Sequence, residues 1–340
     1  MSGSSLDGLD IVYCEFFHNK DWEYKIIEAQ TVTYPEEWLI FLKEAPSLSS
    51  EKLIELDMSY GKYLGRQALE FIQKYKLIPD LIGSHGHTVF HNPEAGYTLQ
   101  IGNGEAIAKV SGITTISDFR RGDILEEGQG APLVPIGDEQ LFSEYDYCLN
   151  IGGIANISYN YDDKRLAFDV CPANQLLNML SMQLGMPYDN NGNMAQLGKL
   201  DKKLFDELNS HPFYKQPLPK SMSNQLVGET FMPIVQNCST SIEDKLYTVC
   251  KHIAWQVNNS LYGSESKILV TGGGAHNGFL VNAIRKETMA DVIIPDSIII
   301  DFKEALIFAF MAVLRVEGKV NCLASATGAV RDSSSGVIYT

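Results

Sequence analysis

One acidic residue of this sequence stands where a carboxylate can accept a proton. Asp169, in residues 168–174 (FDVCPAN), ends an apolar run and precedes a segment with helical periodicity. A carboxylate at a strand end points into a cleft, and it acts as a general base when the nucleophile is within hydrogen-bond reach. The same position suits a helix N-cap, with Asn174 and backbone amides as its partners. Both roles stay open from the residues alone, and Asp169 is the best general-base candidate.

Histidines and arginines form two more clusters that could bind a ligand. His85 and His87, in residues 82–91, would share a strand face and could hold a metal, but no third ligand with conventional spacing accompanies them. A glycine-flanked histidine that hydrogen-bonds substrate or backbone is therefore favoured. In residues 118–123 (DFRRGD), Arg120 could bind a carboxylate or a phosphate with two parallel hydrogen bonds. A surface ion-pair cluster is the alternative there.

Three glycine-rich segments could bring backbone amides close to a ligand. Residues 1–8 (MSGSSLDG) and 147–158 (YCLNIGGIANIS) each predict a small-residue turn beside a strand, which suggests a duplicated domain with a cleft between the copies. Two unrelated hairpins are the alternative. Residues 267–278 (KILVTGGGAHNG) predict a strand that runs through three glycines into a helix, a turn that can cradle a nucleotide. This motif is neither a Walker loop nor GxGxxG, and a tight structural turn is the alternative.

These segments need a scaffold of alternating strands and helices. Apolar periodicity, punctuated by glycine and proline, predicts an α/β fold with mixed sheets. A chain of 340 residues is long for a single core, and two lobes are expected. Helices are predicted at 50–75, 174–184, 242–260, 278–286 and 301–317, and strands at 80–83, 114–117, 166–170, 267–271 and 292–294.

Composition narrows the possible partners and the compartment. The net charge of −15 argues against a nucleic-acid partner, because phosphate backbones need a basic surface. There is no run of 18 apolar residues and no basic stretch followed by an apolar core at the N-terminus. Neither a membrane span nor a signal peptide is expected, and the cytoplasm is the expected compartment. The six cysteines form no CxxC pair, and several of them lie in apolar runs, where a small buried thiol is the favoured interpretation.

The order of hairpin, hairpin and late glycine turn resembles the phosphate-one, phosphate-two and adenosine elements of the actin/hexokinase/chaperone ATPase superfamily. Over its whole length the sequence resembles the anhydro-N-acetylmuramic acid kinase family. The matching stretches are MSGSSLDGLD at 1–10, GSHGHTVFHNP at 83–93, TLQIGNGEAIA at 98–108, SDFRRGD at 117–123, GQGAPLVPIGDEQLF at 128–142, LNIGGIANIS at 149–158, FDVCPAN at 168–174, PKS at 219–221, TGGGAHNGFL at 271–280, FKEALIFAF at 302–310 and TGAV at 327–330.

The family resemblance implies a two-lobed actin-like, ribonuclease H-like fold with ATP and Mg²⁺ in a central cleft. The N-terminal lobe would span residues 1–135, joined by the C-terminal helix at about 303–340, and the C-terminal lobe would span residues 136–302. The implied reaction adds water to the anomeric carbon of 1,6-anhydro-N-acetylmuramic acid and transfers the γ-phosphoryl group of ATP to the freed O6, in peptidoglycan recycling. In the family, the acid at the position of Asp169 activates the water, and the positions of Glu304 and the SDFR loop lie near the sugar.

The family resemblance implies separate sets of residues for magnesium, for the sugar and for ATP. Magnesium would be held through the ATP phosphates, with Asp7 as a candidate ligand, and a homodimer is a further option. Other acids near small or glycine-rich turns are Asp10, Asp118, Asp123 and Asp138. The sugar set is His85, Arg120, Asp118, Asn174 and Glu304, and the ATP set is Gly3, Ser4, Ser5, Asp7, Gly8, Gly152, Gly153, Asn156, Gly272, Gly273, Gly274 and Asn277.

The sequence departs from the family pattern beside Asp169 and after residues 219–221. Val170 and Cys171 replace threonine and glycine, Asn178 replaces a later acid, and Asn224 stands at an arginine position. These changes weaken the identification of the sugar more than that of the reaction. One alternative is an actin-like kinase that phosphorylates a plain hydroxyl of another amino sugar. The other is a non-catalytic nucleotide-binding module, which the presence of Asp169 disfavours.

Overall fold

The computed structural model describes residues 1–3, 6, 8–263 and 266–340, and these residues form two compact units. Unit 1 comprises Met1–Leu141 and Phe302–Thr340, and unit 2 comprises Phe142–Asp301. Ser4, Ser5 and Asp7 of the predicted ATP set lie outside the described residues. Within the described parts of the chain, no helix is long and apolar enough to cross a membrane.

The first part of unit 1 alternates short strands with helices. Its longest helix, of 26 residues, begins after Ser49, whose hydroxyl accepts a hydrogen bond from the N–H of Lys52, and ends at Lys76 in a left-handed conformation. The elements are β1 (Leu9–His18), β2 (Trp22–Val32), α1 (Glu36–Glu44), α2 (Ser50–Tyr75), β3 (Ile82–Gly83), β4 (His87–Asn92), β5 (Tyr97–Ile101), α3 (Gly104–Ser111), β6 (Thr115–Ser117), α4 (Phe119–Leu125) and α5 (Pro135–Leu141).

The pairing of β3 with β6 positions two of the predicted sugar-binding residues. β3 and β6 run parallel, while β1 with β2 and β4 with β5 form antiparallel hairpins. His85 follows the end of β3, and Asp118 follows the end of β6 directly. Because parallel neighbours end at the same edge of a sheet, the two side chains lie at one edge of unit 1.

Unit 2 is built on one five-stranded sheet. β7 (Tyr147–Ile151), β8 (Ile154–Tyr161) and β9 (Lys164–Pro172) form an antiparallel meander, and β10 (Lys267–Thr271) and β11 (Asp291–Ile293) extend it parallel to β7. The spatial order is β9-β8-β7-β10-β11, with β8 antiparallel to both of its neighbours. This strand order is that of the ribonuclease H-like fold, so the predicted fold class is confirmed.

Helices cover the sheet of unit 2 because its strands carry buried apolar side chains. Leu149, Ile157 and Val270 are at most 1% exposed and belong to one core that also takes in Ile253 from the longest helix of the unit. That helix begins after Ser241, whose hydroxyl accepts a hydrogen bond from a first-turn N–H. The helices are α6 (Asn174–Met182), α7 (Lys202–Asn209), α8 (Asn224–Leu226), α9 (Met232–Asn237), α10 (Ile242–Asn259) and α11 (Gly278–Glu287).

The C-terminal part of the chain contributes α12 (Ser297–Val316), α13 (Ala324–Thr327) and β12 (Val337–Tyr339), the last of which pairs antiparallel with β6. The sequence predicts that this long helix begins at residue 301, whereas it begins at Ser297. The first turn contains three consecutive isoleucines, and β-branched runs are typical of strands, which explains the misplaced start.

A buried ion pair joins α12 to α5 inside unit 1. Nζ of Lys303 lies 2.6 Å from Oδ1 of Asp138, and both side chains are 6% exposed. We expect Lys303→Met to lower the free energy of unfolding by about 3–5 kcal/mol, because it leaves a buried carboxylate without its ammonium partner. Urea unfolding measures this. Lys202→Met, which removes an exposed ion pair with Asp206, is the control and should cost at most about 1 kcal/mol. Equal losses in the two variants would contradict the prediction.

Candidate active site

Asp169 lies near the end of β9 beside a β-bulge. In the pairing with β8, Asn156 stands opposite Asp169 and Ala155 opposite Cys171, so Val170 between them has no partner. Bulges re-aim side chains and are frequent next to active sites. The bulge therefore sets the direction of the Asp169 carboxylate.

The segment that follows residues 217–219 holds Asp169 through its backbone. The N–H of Met222 donates to Oδ2 of Asp169 at 2.7 Å, and the N–H of Asp169 donates to the carbonyl of Lys220 at 2.9 Å. Burial raises the pKa of Asp169 to about 6, against the lowering effect of the hydrogen bond from Met222. Because these contacts use main-chain atoms, the departures of this segment from the family pattern leave them in place.

The helix-cap alternative for Asp169 does not fit this geometry. Helix α6 begins at Asn174, with Ala173 in the N-cap position. One carboxylate oxygen of Asp169 is bound by Met222 instead. The other oxygen, Oδ1, is the one that could accept a proton from a nucleophile.

Asp169 continues a row of polar side chains across the sheet. Thr271 of β10 pairs with Asn150 of β7, Asn150 with Asn156 of β8, and Asn156 with Asp169 of β9. Residues directly opposite one another in paired strands present their side chains on the same face. Asn150 is absent from the predicted ATP set, since only the strand register reveals that it shares a face with Asn156 and Asp169.

The glycine turn between β10 and α11 contains two glycines that the fold itself requires. Gly272 has a φ of +79°, where a side chain is strained, and a Cβ there would collide with Asn150. A Cβ on Gly274 would collide with the side chain of Ile151. These two positions therefore have a structural explanation that needs no ligand.

At two other glycines a Cβ would make only ordinary van der Waals contacts. A Cβ on Gly273 would lie 3.7 Å from Nδ2 of Asn174, its nearest neighbour, and one on Gly152 would lie 3.5 Å from Nδ2 of Asn150. Packing does not demand glycine at either position. Backbone left bare in this way lets a ligand approach closely, and the residues therefore fit a nucleotide here.

Asn174 connects the two glycine segments. Its Nδ2 donates to the carbonyl of Ile151 at 3.1 Å, and its N–H donates to the carbonyl of Gly152 at 3.1 Å. Gly153 packs against Gln175 of α6, whose N–H donates to its carbonyl at 3.1 Å. The family resemblance places Asn174 in the sugar set, whereas its hydrogen bonds put it beside the glycines of the ATP set.

Asn277 has a defined structural role at the start of α11. Its Oδ1 accepts a hydrogen bond of 3.0 Å from the N–H of Leu280, so it caps the helix.

In unit 1, Gly8 is required by packing, because a Cβ there would meet Thr31 at 2.5 Å. Gly3 belongs to the described part of the first hairpin motif, and its carbonyl accepts a hydrogen bond from Leu6.

His85 and Arg120 form a buried pair in unit 1. Nε of Arg120 donates to Nε2 of His85 at 2.9 Å, and Nδ1 of His85 lies 3.0 Å from the carbonyl of Gly86. The imidazole is therefore neutral with its proton on Nδ1, and burial followed by the Arg120 charge holds the pKa of His85 well below its usual range. His87 is bound to Ser2 at 3.3 Å, so the two histidines have separate partners.

Arg120 has fewer free donors than the sequence suggests. Its Nη1 donates to the carbonyl of Gly130 at 2.7 Å, and its Nε is taken by His85. The side-on fork of Nε and Nη2 is thus not available to a carboxylate. Glu304 interacts electrostatically with Arg120. Burial raises the pKa of Glu304, and the positive charges of Arg120 and then Lys303 oppose that rise.

The acids of unit 1 differ in how far the protein already uses them. Asp123 accepts hydrogen bonds of 2.7 Å from the N–H of Gly130 and from Oγ1 of Thr327, and Asp138 is paired with Lys303. Asp10 accepts one of 2.6 Å from Thr31. Among the described residues no group of three histidine, cysteine or acidic side chains could hold a metal ion by itself.

A pocket of about 430 Å³ lies within unit 1. His85 and Asp118 of the predicted sugar set are in its wall, whereas Arg120 and Glu304 are not among its lining residues. Asp118 has a φ of +61°, a strained conformation that is frequent at functional sites. None of the pocket's other polar and aromatic lining residues belongs to the predicted sugar set; they include Asp57, Tyr97, Gln100, Asn103, Arg121 and Tyr339.

The strand order of unit 2 defines a ribonuclease H-like protein, in which Asp169 lies near the end of β9 and the glycine turn follows β10. The sequence profile of the family described as anhydro-N-acetylmuramic acid kinase matches residues 1–340. The chain belongs to this family, and the predicted enzyme class, a phosphotransferase, is confirmed.

Two curated relatives agree with that assignment. The anhydro-N-acetylmuramic acid kinase of Actinobacillus pleuropneumoniae serotype 7 (strain AP76) is 35% identical over 361 residues, covering 100% of this chain and 97% of that protein. The enzyme of the same name from Haemophilus influenzae is 32% identical over 371 residues, covering 100% and 96%. Among solved structures, the activator of the 2-hydroxyisocaproyl-CoA dehydratase from Clostridium difficile matches with 12% identity and a TM-score of 0.38 over 84% of this chain and 89% of that chain. This last likeness is too low to bear on function.

Proposed function

We propose that the protein converts 1,6-anhydro-N-acetylmuramic acid, ATP and water to N-acetylmuramic acid 6-phosphate and ADP. The observation that carries this is the carboxylate of Asp169, which is half-buried, held by one oxygen and placed in the polar row formed with Asn156, Asn150 and Thr271. Family membership supports the choice of sugar. The role that follows is recycling of peptidoglycan fragments.

The chemistry balances with Asp169 as the base. Asp169 takes a proton from water, the water oxygen bonds to C1, and the C1–O6 bond of the anhydro ring breaks. The freed O6 bonds to the γ-phosphorus, and the bond between that phosphorus and the β,γ-bridging oxygen breaks to release ADP. A carboxylate with a pKa of about 6 is mostly ionised at neutral pH, yet basic enough to accept the proton.

The remaining groups position the reactants. Gly152 and Gly273 leave room for the nucleotide, and Asn156 in the polar row is proposed to contact its phosphates. His85, Arg120 and Glu304 of unit 1, with Asp118, are proposed to bind the sugar. Mg²⁺, carried on the ATP phosphates, would neutralise the charge that develops on the transferring group. Among its protein ligands, Asp7 remains the proposed candidate.

Partners and compartment follow from the proposed substrates. ATP is a cytoplasmic nucleotide, so the cytoplasm is the proposed compartment. A net charge of −15 disfavours a nucleic-acid partner. A homodimer stays a prediction that light scattering of the purified protein would test.

Turnover of three sugars with ATP tests the proposal against its nearest alternative. We expect phosphorylation of 1,6-anhydro-N-acetylmuramic acid, with N-acetylmuramic acid and N-acetylglucosamine as poor substrates. Preferential phosphorylation of either open sugar would assign a plain hydroxyl acceptor, and Asp169 would then deprotonate that hydroxyl instead of water.

The pKa of Asp169 predicts how activity depends on pH. The base must be ionised, so kcat should fall about tenfold between a plateau above pH 7 and pH 5 when the pKa is about 6. At the ordinary aspartate value of 3.8 nearly full activity would remain at pH 5. The rate is measured with saturating ATP, magnesium and sugar, and ATP affinity is determined at each pH as the control. A flat profile down to pH 5 would show that Asp169 is not the titrating base.

A further inference from the structure

The pocket within unit 1 carries two acids and a single cation among its lining residues, all of which are described. Both oxygens of Asp57 are engaged, since Oδ1 accepts from the N–H of Gly102 at 2.8 Å and Oδ2 from Nδ2 of Asn103 at 3.2 Å. Asp118 and Arg121 remain as the charged groups that a ligand could engage. The volume of about 430 Å³ falls in the range of small-molecule sites, roughly 300–1,000 Å³.

Arg121 is loosely held. Its Nη1 lies 3.9 Å from Oδ2 of Asp118, which is too long for a charge-assisted hydrogen bond, and its side chain is 70% exposed. Its neighbour Arg120, by contrast, is bound by His85 and Gly130 and is not a lining residue. Arg121 therefore has N–H groups free to bind a ligand at this pocket, a role for which the sequence suggests Arg120 instead.

The rest of the wall suits a sugar derivative. Tyr97 and Tyr339 are aromatic lining residues, a type that stacks on the apolar face of a sugar, and the carboxylate of Asp118 can accept hydrogen bonds from hydroxyl or amide groups. Asp118 is the N-cap residue of α4, but its side chain accepts no hydrogen bond from the first turn, so this carboxylate is not committed to the helix. Burial raises the pKa of Asp118, and the charge of Arg121 opposes that rise.

Muramic acid differs from glucosamine by a lactyl ether that ends in a carboxylate. A site that requires this arm needs a cation, and arginine binds carboxylates with two parallel hydrogen bonds. Resting on the proposed function, we propose that the unit 1 pocket takes the lactyl arm of the sugar and that Arg121 binds its carboxylate. Arg121 is then the residue that distinguishes a muramic acid from a glucosamine.

Calorimetry on the full chain with two ligands tests this assignment. The probes are 1,6-anhydro-N-acetylmuramic acid and 1,6-anhydro-N-acetylglucosamine, which lacks the lactyl arm. Arg121→Ala should weaken binding of the first about ten- to a hundred-fold and leave binding of the second unchanged. Arg121→Lys should retain part of the preference, because it keeps the charge but loses the fork. Arg331→Ala is the matched control, since Arg331 is 72% exposed and pairs with Glu126 in the same unit.

Two outcomes would overturn the assignment. An Arg121→Ala variant with unchanged affinity for the muramic acid would mean that the carboxylate binds elsewhere. Equal losses for both sugars would mean that Arg121 contacts the ring and not the arm. Failure of the proposed function is separate, because it would appear as wild-type protein that does not phosphorylate 1,6-anhydro-N-acetylmuramic acid at all.

Discussion

Asp169→Asn should bind ATP and the anhydro-sugar normally yet turn over about a hundred- to ten-thousand-fold more slowly than the wild type. An amide cannot accept the proton of water, but its oxygen can still accept the hydrogen bond from the N–H of Met222 at the place where Oδ2 now lies. The fold should therefore be kept. The substitution also removes a carboxylate whose charge is unfavourable in its buried position, so the thermal stability at neutral pH should not fall. Steady-state kinetics, calorimetry and thermal unfolding measure the three quantities.

Asp163→Asn is the matched control for this substitution. Asp163 lies in the exposed turn between β8 and β9, so the same chemical change there should leave turnover as it is. An Asp169→Asn variant with near wild-type turnover would remove Asp169 from the mechanism. Loss of sugar binding with unchanged kcat would assign it to binding alone.

Gly273→Val should weaken ATP binding about ten- to a hundred-fold while the protein stays folded. The added side chain enters space in which the nearest protein atom is 3.7 Å from the new Cβ, and overpacking against a bound ligand costs about 1–3 kcal/mol. Calorimetric titration with a non-hydrolysable ATP analogue gives the affinity, and circular dichroism reports the fold.

Two further glycines make this test specific. Gly228→Val places the same side chain in open space elsewhere in unit 2, at a position without a positive φ, and should leave ATP affinity unchanged. Gly274→Val should instead destabilise the protein, since its side chain would overlap Ile151. If a folded Gly273→Val protein keeps its nucleotide affinity, the adenosine of ATP does not bind at this turn.

Local patterns in the sequence are sufficient to predict the α/β class and the long helix α2. They also predict the strand-turn-helix around the three glycines, because apolar periodicity, caps and glycines act over a few residues. The same local reasoning places Asp169 at the end of a strand. It cannot show the bulge at Val170 or the backbone contact from Met222, which involve residues distant in sequence.

Residues that act through long-range geometry are missed for the same reason. Asn150 joins the polar row only through the register of β7 with β8 and β10. The choice between Arg120 and Arg121 depends on which one His85 and Gly130 occupy, and neighbouring arginines look alike in sequence. The wall of the unit 1 pocket likewise comes from separate elements, among them α2, β5 and the C-terminal strand that carries Tyr339.

The central claim is that ring opening by water and phosphoryl transfer occur in one reaction, and mass spectrometry of the product formed in heavy-oxygen water tests it most directly. We predict one heavy oxygen per product molecule, located at C1, with none in the phosphoryl group. Unlabelled N-acetylmuramic acid incubated in the same water measures exchange at the anomeric carbon, and early time points keep that exchange small. A phosphorylated product without added water, or heavy oxygen appearing in inorganic phosphate, would contradict the account.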